Sequence, residues 1–297
     1  MSLEPADFAL VSRVVHERSG IALDAGKEYL VEARLSTLAR REGLASVAAV
    51  AHELRQRPGG PLTQKIVEAM TTNETLWFRD VRPFDALRTE VIPALVRARS
   101  ASRKLVIWSA ASSTGQEAYS IAILLRESFP ELAGWTLQIT GTDISAEVVE
   151  KAREGRYSQL EMNRGLPTGL LLKYFERDGL HWRAEPQLRA MVQFGELNLV
   201  SSVWHGLPKA DIVLLRNVMI YFDVPTRRQI LKRLSTSMAP DGYLFLGAGE
   251  TTLDIDDAWT RVDLGRAHCF RLRAATRPNP SLDKEDMWNR RSTTSGR

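Results

Sequence analysis

The segment LVIWSAASSTGQEAYS (residues 105–120) carries the pattern that decides the fold. It opens with an apolar run, 105–109, that predicts a buried β-strand, and residues 116–127 predict a helix. Between them lies a turn of small residues in which Gly115 is expected to let the backbone approach a ligand. The turn lacks GxGxxG spacing, so it suits a ligand without a phosphate better than a dinucleotide. The plainer alternative is a tight turn capped by polar side chains.

Strand and helix patterns alternate on both sides of this segment. Strands are predicted at 105–109, 137–142, 192–197, 211–216, 243–247 and 268–273, and helices at 82–99, 116–127, 146–153 and 225–238. Such alternation predicts an α/β fold with a mostly parallel sheet covered on both faces. AlaProAspGly at 239–242 is predicted to form a turn. A polar stretch at about 155–190 interrupts the alternation, and its Asp-Gly pair at 178–179 predicts a small hairpin.

The remaining regions differ in character from the α/β part, which spans 101–273. Residues 1–71 carry only helical patterns and predict a small all-α domain of four short helices. Residues 72–100 form a linker and a helix. Residues 274–297 are rich in Arg, Ser, Thr and Pro, with almost no apolar content, and are predicted to be disordered.

Composition excludes several classes of protein. The chain has 297 residues, 44% of them hydrophobic, and no apolar run approaches the length of a membrane span. There is no secretory signal, so we expect a cytoplasmic protein that is not embedded in a membrane. A single cysteine and scattered histidines give no expectation of a metal site. The net charge of +4 favours an acidic partner, but no Lys/Arg run suggests nucleic acid.

Two further predicted strands end in polar side chains. Asp143 ends the strand in ITGTDIS (139–145), where a carboxylate either accepts ribose hydroxyls or caps the next helix. Arg216 and Asn217 end the strand in LLRNVMIYFD (214–223). Burying them without partners would be costly, so they either line a cleft or cap neighbouring backbone. The three strand ends together favour a nucleoside-like ligand.

Five segments, in order, resemble one known family. They are TTNETLWFRD (71–80), WSAASSTGQEAYSIA (108–122), TDIS (142–145), FGELNL (194–199) and LLRNVMIYFD (214–223). The chain is similar to the CheR-type chemotaxis receptor methyltransferases over roughly residues 8–272. The resemblance implies a helical N-terminal domain and a Rossmann-like S-adenosylmethionine-dependent methyltransferase domain with an inserted β-subdomain. It also implies protein-glutamate O-methyltransferase activity on the cytoplasmic helices of chemoreceptors.

The resemblance also implies a set of site residues. Those expected at the cofactor are Asn73, Thr75, Arg79, Glu117, Asp143, Asn198, Leu199, Arg216 and Asn217. Arg79 and Tyr221 are expected at the transfer site as the catalytic residues. Gln116 replaces the usual first acid of its motif, which removes a charge but leaves Glu117, and Trp77 replaces the first aromatic of its motif.

The residues themselves agree with this chemistry. A glutamate acceptor, with a reference pKa near ~4.3, is already ionised at neutral pH, so no general base is needed. Arg79 is suited to hold a carboxylate by two hydrogen bonds, unless it only pairs with Glu74 or Asp80. Tyr221 either orients the acceptor or turns its ring to the sulfonium, and core packing is the plainer alternative.

The second predicted helix is basic. Its residues Lys27, Arg34, Arg40 and Arg41 are expected to face the acidic methylation region of a chemoreceptor, or else to form a solvated face. The insert is too short to lead us to expect tethering to a receptor's C-terminal pentapeptide. Two alternative functions stay open at this point. They are a non-catalytic sensor of S-adenosylmethionine or S-adenosylhomocysteine, and a methyltransferase acting on another substrate.

Overall fold

The computed structural model describes residues 3–273, in which helices precede a large mixed sheet. The helices are α1 (Pro5–Ser19), α2 (Glu28–Arg41), α3 (Val47–Gln56), α4 (Pro61–Met70), α5 (Arg82–Ala86), α6 (Ile92–Ala98), α7 (Gln116–Ser128), α8 (Ala146–Glu154), α9 (Gln159–Met162), α10 (Thr168–Tyr174), α11 (Pro186–Ala190) and α12 (Val224–Ser237). The strands are β1 (Lys104–Ala110), β2 (Thr136–Asp143), β3 (Arg156–Ser158), β4 (Phe175–Asp178), β5 (His181–Ala184), β6 (Val192–Glu196), β7 (Ala210–Leu215), β8 (Met238–Leu246), β9 (Trp259–Leu264) and β10 (Ala267–Leu272). Residues 274–297, predicted to be disordered, lie outside the described residues.

The four N-terminal helices pack around a core of their own. Its fully buried members include Val15 of α1, Leu35 of α2, Leu54 of α3 and Ile66 of α4. Local signals set the helix ends, as when α1 stops at Gly20, whose φ of 75° favours glycine. The four helices predicted in this part of the sequence are therefore present.

The large sheet has the strand order β6-β2-β1-β7-β8-β10-β9. The first five strands in that order are parallel, and β10 runs antiparallel to both of its neighbours. Every residue of β7 is buried, which explains its apolar run at 212–215. The predicted Rossmann-like α/β fold behind an all-α region is confirmed, and the carboxyl ends of the parallel strands form one edge.

The insert between β2 and β6 forms a separate three-stranded sheet of order β3-β5-β4. The hairpin predicted at the Asp-Gly pair joins β4 to β5 and turns at Gly179, with a φ of 60°. Trp77, from the segment before α5, packs its ring edge-on against Tyr157 and Phe175 of this sheet, at centroid distances of 5.1 and 5.2 Å. The insert therefore supports the segment that the sequence places at the active site.

Three sequence predictions need correction. The helix expected at 82–99 contains a π-helical turn, Leu87–Val91, before Pro93, whose ring would clash with an ordinary helical turn. The turn expected at 239–242 is wrong, because these residues belong to β8 and form an irregularity in its pairing with β7. A Cβ on Gly242 would lie only 2.9 Å from the Ala239 carbonyl oxygen. Glycine, which has no side chain, lets the two backbone segments come this close. Strands β3 and β9 were not predicted.

An ion-pair network lies at the other end of the parallel strands, where β1 and β7 begin. Arg99 donates to Asp211 Oδ1 at 2.9 Å and to both carboxylate oxygens of Asp241. The hydrogen bonds from Arg99 hold the pKa of Asp241 below its usual value. Asp211 is buried and also accepts the Val106 amide of β1 at 2.8 Å, so it joins two strands to the helix before them.

Replacing Asp211 by alanine should lower the free energy of unfolding by about 3 kcal/mol, because it leaves a strand amide and a largely buried guanidinium short of a partner. Chemical denaturation followed by circular dichroism measures this loss. The matched control is Asp263→Ala, which removes an exposed partner of Arg261 and should cost less than about 0.5 kcal/mol. Equal stabilities for the two variants would contradict the structural role given to Asp211.

Candidate active site

A cleft lies at the carboxyl edge of the parallel strands and encloses about 910 Å³ including its open mouth. Every residue predicted for the cofactor or for catalysis lines it, namely Asn73, Thr75, Arg79, Glu117, Asp143, Asn198, Leu199, Arg216, Asn217 and Tyr221. Lining residues that the sequence did not suggest include Ser19 and Ile21, from the end of α1 and the loop after it. Segments that are far apart in sequence therefore converge on one pocket.

The turn after β1 connects three of these segments. Ala111 and Ser113 have φ values of 55° and 50°, so the chain reverses sharply as it leaves the strand. The Ser113 amide donates to Asp143 Oδ2 at 2.9 Å, and the Ser113 hydroxyl donates to the Asn73 carbonyl at 2.8 Å. One serine thus fixes the carboxylate of β2 and the start of the TTNET segment together.

Gly115 has a different task from the one predicted. Its backbone is left-handed, with a φ of 93°, and a Cβ there would meet Phe194 at 2.9 Å and Ala152 at 3.0 Å. It does not line the cleft. Glycine is therefore required for the close packing of α7 against its neighbours, and the expectation that Gly115 approaches a ligand is wrong.

Asp143 is buried at the end of β2. Its two carboxylate oxygens accept the amides of Ser113 and Ser145, the second at 3.1 Å. Burial raises the pKa of Asp143, and these backbone hydrogen bonds act in the opposite direction. Since each carboxylate oxygen can accept more than one hydrogen bond, lone pairs remain for ligand hydroxyls. Asp143 both bonds the amide at the start of α8 and lines the cleft, so the first role does not exclude the ribose role, which stays a prediction.

Arg216 carries a nearly enclosed charge in the cleft, with a side chain that is 1% exposed. It donates to Glu117 Oε2 at 2.8 Å, to Asp80 Oδ2 at 2.6 Å and to the Arg79 carbonyl at 2.8 Å. Glu117 accepts a further hydrogen bond from Ser109 of β1 at 2.8 Å. The buried guanidinium therefore joins β7, α7 and the segment before α5.

Arg79 keeps most of its guanidinium available. Its one hydrogen bond within residues 3–273 goes to the Glu74 carbonyl oxygen at 3.1 Å. The carboxylates that the sequence offered as alternative partners are taken by other arginines, Glu74 by Arg164 and Asp80 by Arg216. The cleft therefore holds a partly buried cation with free donors, suited to an anionic group.

Glu250 supports the neighbouring strand end and was missed from the sequence. Its carboxylate is buried and accepts the amides of Asn217 at 2.8 Å, Gly247 at 2.6 Å and Ile220 at 3.2 Å. These bonds hold Asn217 at a φ of 59°. The signal that could have found Glu250 is its place just after the buried strand β8, in the glycine-rich sequence GAGE (247–250).

Besides Arg216 Nε, a donor, two buried oxygens of the lining have no partner among the described residues, Ser112 Oγ and Asn217 Oδ1. Buried polar groups are normally satisfied, so unsatisfied ones at a cleft indicate a ligand. Together with Glu117 and Asp143 they offer acceptors for ammonium and hydroxyl groups. Ile144, Leu197 and Leu199 add apolar surface. The donor and acceptor set fits an amino acid joined to a nucleoside.

The basic helix α2 contacts the end of α4, the linker after it, and α8. The Arg34 guanidinium donates to the carbonyls of Met70 and Thr71, at 2.5 and 3.0 Å, and so caps the end of α4. Arg41 pairs with Glu147 of α8 at 3.1 Å. Arg40 is exposed and donates to Thr37 of its own helix, and Lys27 pairs with Asp24. Arg34 therefore has an internal task, while the other three stay accessible.

Comparison with known families fits this geometry. Residues 6–71 match the family model described as the CheR methyltransferase all-alpha domain, and residues 73–266 match the CheR methyltransferase SAM binding domain.

The chain belongs to the CheR methyltransferase family.

The alignments with its relatives cover nearly the whole length of those proteins. Chemotaxis protein methyltransferase 1 of Pseudomonas aeruginosa is 39% identical over 277 residues, which cover 92% of this chain and 100% of that protein. Chemotaxis protein methyltransferase Cher2 of Pseudomonas putida is 38% identical, over 88% of this chain and 96% of its own. A chemotaxis protein methyltransferase of Vibrio parahaemolyticus is 35% identical, over 92% and 99% respectively.

The protein is thus a methyltransferase whose cofactor is S-adenosylmethionine, and the cleft is suited to that molecule. Gln116, the departure noted in the sequence, is buried, accepts the Thr114 hydroxyl at 2.8 Å and does not line the cleft. The replacement of the usual acid by Gln116 therefore leaves the charge of the cleft lining unchanged. Within residues 3–273, every helix is too short or too polar to cross a membrane.

Affinity for S-adenosylhomocysteine should fall as the pH is lowered. Burial raises the pKa of Asp143, so this carboxyl takes up a proton at a higher pH than an ordinary aspartate. A protonated carboxyl has fewer acceptor sites for ribose hydroxyls, so binding weakens on the acid side and is restored above the raised pKa. Titration calorimetry across the acid range measures the effect.

The variant Asp143→Asn should bind about 10- to 100-fold more weakly at neutral pH, since a hydrogen bond to a charged group is lost. It should also lose this part of the pH dependence. A wild-type affinity in Asp143→Asn, or an unchanged pH profile, would remove Asp143 from the ribose site.

Proposed function

We propose that this methyltransferase transfers the methyl group of S-adenosylmethionine to glutamate side chains on chemoreceptor cytoplasmic helices, forming methyl esters. The observation that carries the proposal is the partly buried Arg79 guanidinium, with free donors, in the same cleft as the cofactor residues. The names of the relatives place them in chemotaxis. A substrate on cytoplasmic helices implies a cytoplasmic enzyme.

The cofactor is held by the strand ends in this proposal. Asp143 receives the ribose hydroxyls, and Asn198 and Leu199 lie at the adenine. Glu117 and the unpartnered Asn217 Oδ1 accept from the ammonium group of the methionine part. Asn73, Thr75 and Arg79 line the methionine end and the transfer site, and Arg216 orders this end through Glu117.

The reaction requires alignment more than proton transfer. When bound, S-adenosylmethionine supplies a methyl group on a positively charged sulfur. A glutamate carboxylate is already the nucleophile at neutral pH, so one oxygen forms the new bond to carbon while the carbon–sulfur bond breaks. The protein must hold the oxygen in line and exclude water. Positioning of this kind can contribute on the order of 7–11 kcal/mol.

Arg79 holds the acceptor in this scheme. Its guanidinium can donate two parallel hydrogen bonds to one carboxylate, which fixes both the place and the plane of the acceptor. Arg216 is less suited to this, because both of its terminal nitrogens already donate, to Glu117, Asp80 and the Arg79 carbonyl, and its free Nε is buried. The two arginines of the cleft therefore have separate roles.

Tyr221 and the next residue, Phe222, both line the cleft. Phe222 is buried and belongs to the core, whereas Tyr221 is partly exposed. The backbone of Tyr221 is fixed, since its carbonyl accepts the Ala22 amide at 2.9 Å. We assign its side chain to the acceptor side of the transfer site.

The accessible cations of α2 provide the docking surface in this proposal. Lys27, Arg40 and Arg41 are available on the helix that lies beside the cleft, and they suit the acidic methylation region of a receptor. Arg34 contributes indirectly, through the linker that it caps. The sensor alternative rested on Gln116, whose side chain lies outside the cleft lining, so no observation favours it.

Replacing Arg79 by alanine should reduce methyl transfer to receptor cytoplasmic fragments by at least about 100-fold, because the acceptor loses its bidentate donor. Affinity for S-adenosylhomocysteine should change far less. The assay uses labelled S-adenosylmethionine and then mild base, since a carboxyl methyl ester releases volatile methanol and a methylated amine does not.

The matched control is Arg82→Ala. Arg82 is exposed and does not line the cleft, so this variant should transfer methyl groups at the wild-type rate. Transfer at the wild-type rate in Arg79→Ala would refute the role of Arg79. Label that is stable to base in the wild-type reaction would refute the glutamate acceptor itself.

Charge reversal at Arg40 tests the docking surface. Arg40→Glu should raise the KM for the receptor fragment by about 10-fold at low salt, with kcat retained, because the long-range attraction is weakened. The difference should shrink as salt is added, since exposed charges are screened over about 10 Å at 0.1 M. Arg261→Glu makes the same charge change on β9 and should leave the KM unchanged. Equal effects of the two variants would place docking elsewhere.

A further inference from the structure

One turn beside the cleft has unusual backbone geometry. Phe78, Asp80 and Val81 have φ values of 48°, 69° and 45°, although none is glycine and Val81 is β-branched. Non-glycine residues adopt this region at a cost in free energy, so the surroundings must hold the chain there. Arg79, whose side chain enters the cleft, lies inside this 78–81 turn.

Arg216 provides the strongest of these restraints. Its guanidinium bonds to the Asp80 carboxylate at 2.6 Å and to the Arg79 carbonyl at 2.8 Å, so it grips the turn at two successive residues. The Phe78 amide adds a bond to the Ser120 hydroxyl of α7 at 3.0 Å. The Arg216 end of this ion pair is buried, so the pair is screened less than one between two exposed side chains.

Asp80 does not line the cleft, and its side chain remains 42% exposed. Its carboxylate accepts a hydrogen bond from the Arg216 guanidinium. The other carboxylate on that guanidinium is Glu117, which does line the cleft. One buried arginine thus links a cofactor-side acid to an acid that shapes the backbone of Arg79.

We propose that Asp80 is a positioning residue for methyl transfer. Its ion pair with Arg216 holds the 78–81 turn in the strained form that directs the Arg79 guanidinium into the cleft. This inference rests on the proposed function in one respect, that Arg79 receives the acceptor carboxylate. It adds a residue whose effect is on the acceptor and not on cofactor affinity.

Three substitutions separate the ion pair from the backbone strain. Asp80→Gly removes the carboxylate and also the cost of the positive φ. Asp80→Ala removes the carboxylate and keeps that cost. Asp80→Asn keeps an acceptor oxygen and a side chain that tolerates left-handed backbone, but removes the charge. Asp85→Ala is the matched control, because the ion pair of Asp85 in the described part of the chain is with exposed Arg88, one helical turn away.

The kinetic test uses the full-length protein, labelled S-adenosylmethionine and a receptor cytoplasmic fragment. Asp80→Gly and Asp80→Ala should lower kcat/KM for the fragment by about 10- to 100-fold, and Asp80→Asn by less. Affinity for S-adenosylhomocysteine should change by less than about 3-fold in all three, and Asp85→Ala should match the wild type. A parallel loss of cofactor affinity and transfer would overturn the proposal, because Asp80 would then act through the cofactor site.

Amide hydrogen exchange tests the turn without any acceptor. The Phe78 and Val81 amides are bonded, to Ser120 Oγ and to the Phe78 carbonyl, and should exchange at least about tenfold faster in Asp80→Gly and Asp80→Ala. Wild-type exchange together with wild-type transfer in Asp80→Gly would refute the positioning role. If the wild-type enzyme methylates no receptor fragment, the proposed function fails, and the exchange rates still decide whether Asp80 holds the turn.

Discussion

The parallel pairing of β1 with β2 and β7 is the constraint on which the cleft depends. Ser109 of β1 lies opposite Gly141 of β2 and Leu214 of β7, so the three strands end at the same level. Adjacent strands are about 4.8 Å apart, and this spacing brings the residues that follow each end within hydrogen-bonding reach. Asp143 and Arg216 are placed by this register. The segment around Asn73 and Arg79 is then attached to them through Ser113 and Arg216.

Much of this arrangement could be predicted from the sequence, because burial and polarity are written locally. The apolar run of β7 and its polar end, Arg216 and Asn217, indicated both a buried strand and a site. The hairpin of the insert followed from Asp-Gly. Features that depend on distant partners could not be read in this way. Gly115 leaves room for Phe194, which is remote in sequence. Arg34 caps the end of α4, and nothing in the sequence around Arg34 indicates that contact.

The residues that were missed share the same physical reason. Strand β9 is half exposed, and its apolar residues Trp259, Val262 and Leu264 do not alternate regularly, so its sequence pattern is weak. Ser19 and Ile21 belong to a helical region and carry no signal of a ligand site, and only the docking of that region brings them to the cleft. Glu250 looks like any loop acid until its three backbone donors are seen. Tertiary contacts, and not local preference, assign these roles.

The contribution of Ser19 and Ile21 to the lining has a consequence for how the protein holds together. Ile21 forms a β-bridge with Phe222, and the Asn198 side chain donates to the Arg18 carbonyl, so the helical region and the sheet share walls of one ligand pocket. A ligand that contacts both walls binds more tightly when the walls are together. It stabilises their association by the same free energy. By thermodynamic reciprocity, anything that separates the helices from the sheet weakens cofactor binding to the same extent. A cofactor that contacts both walls would therefore also stabilise the association of the helical region with the sheet.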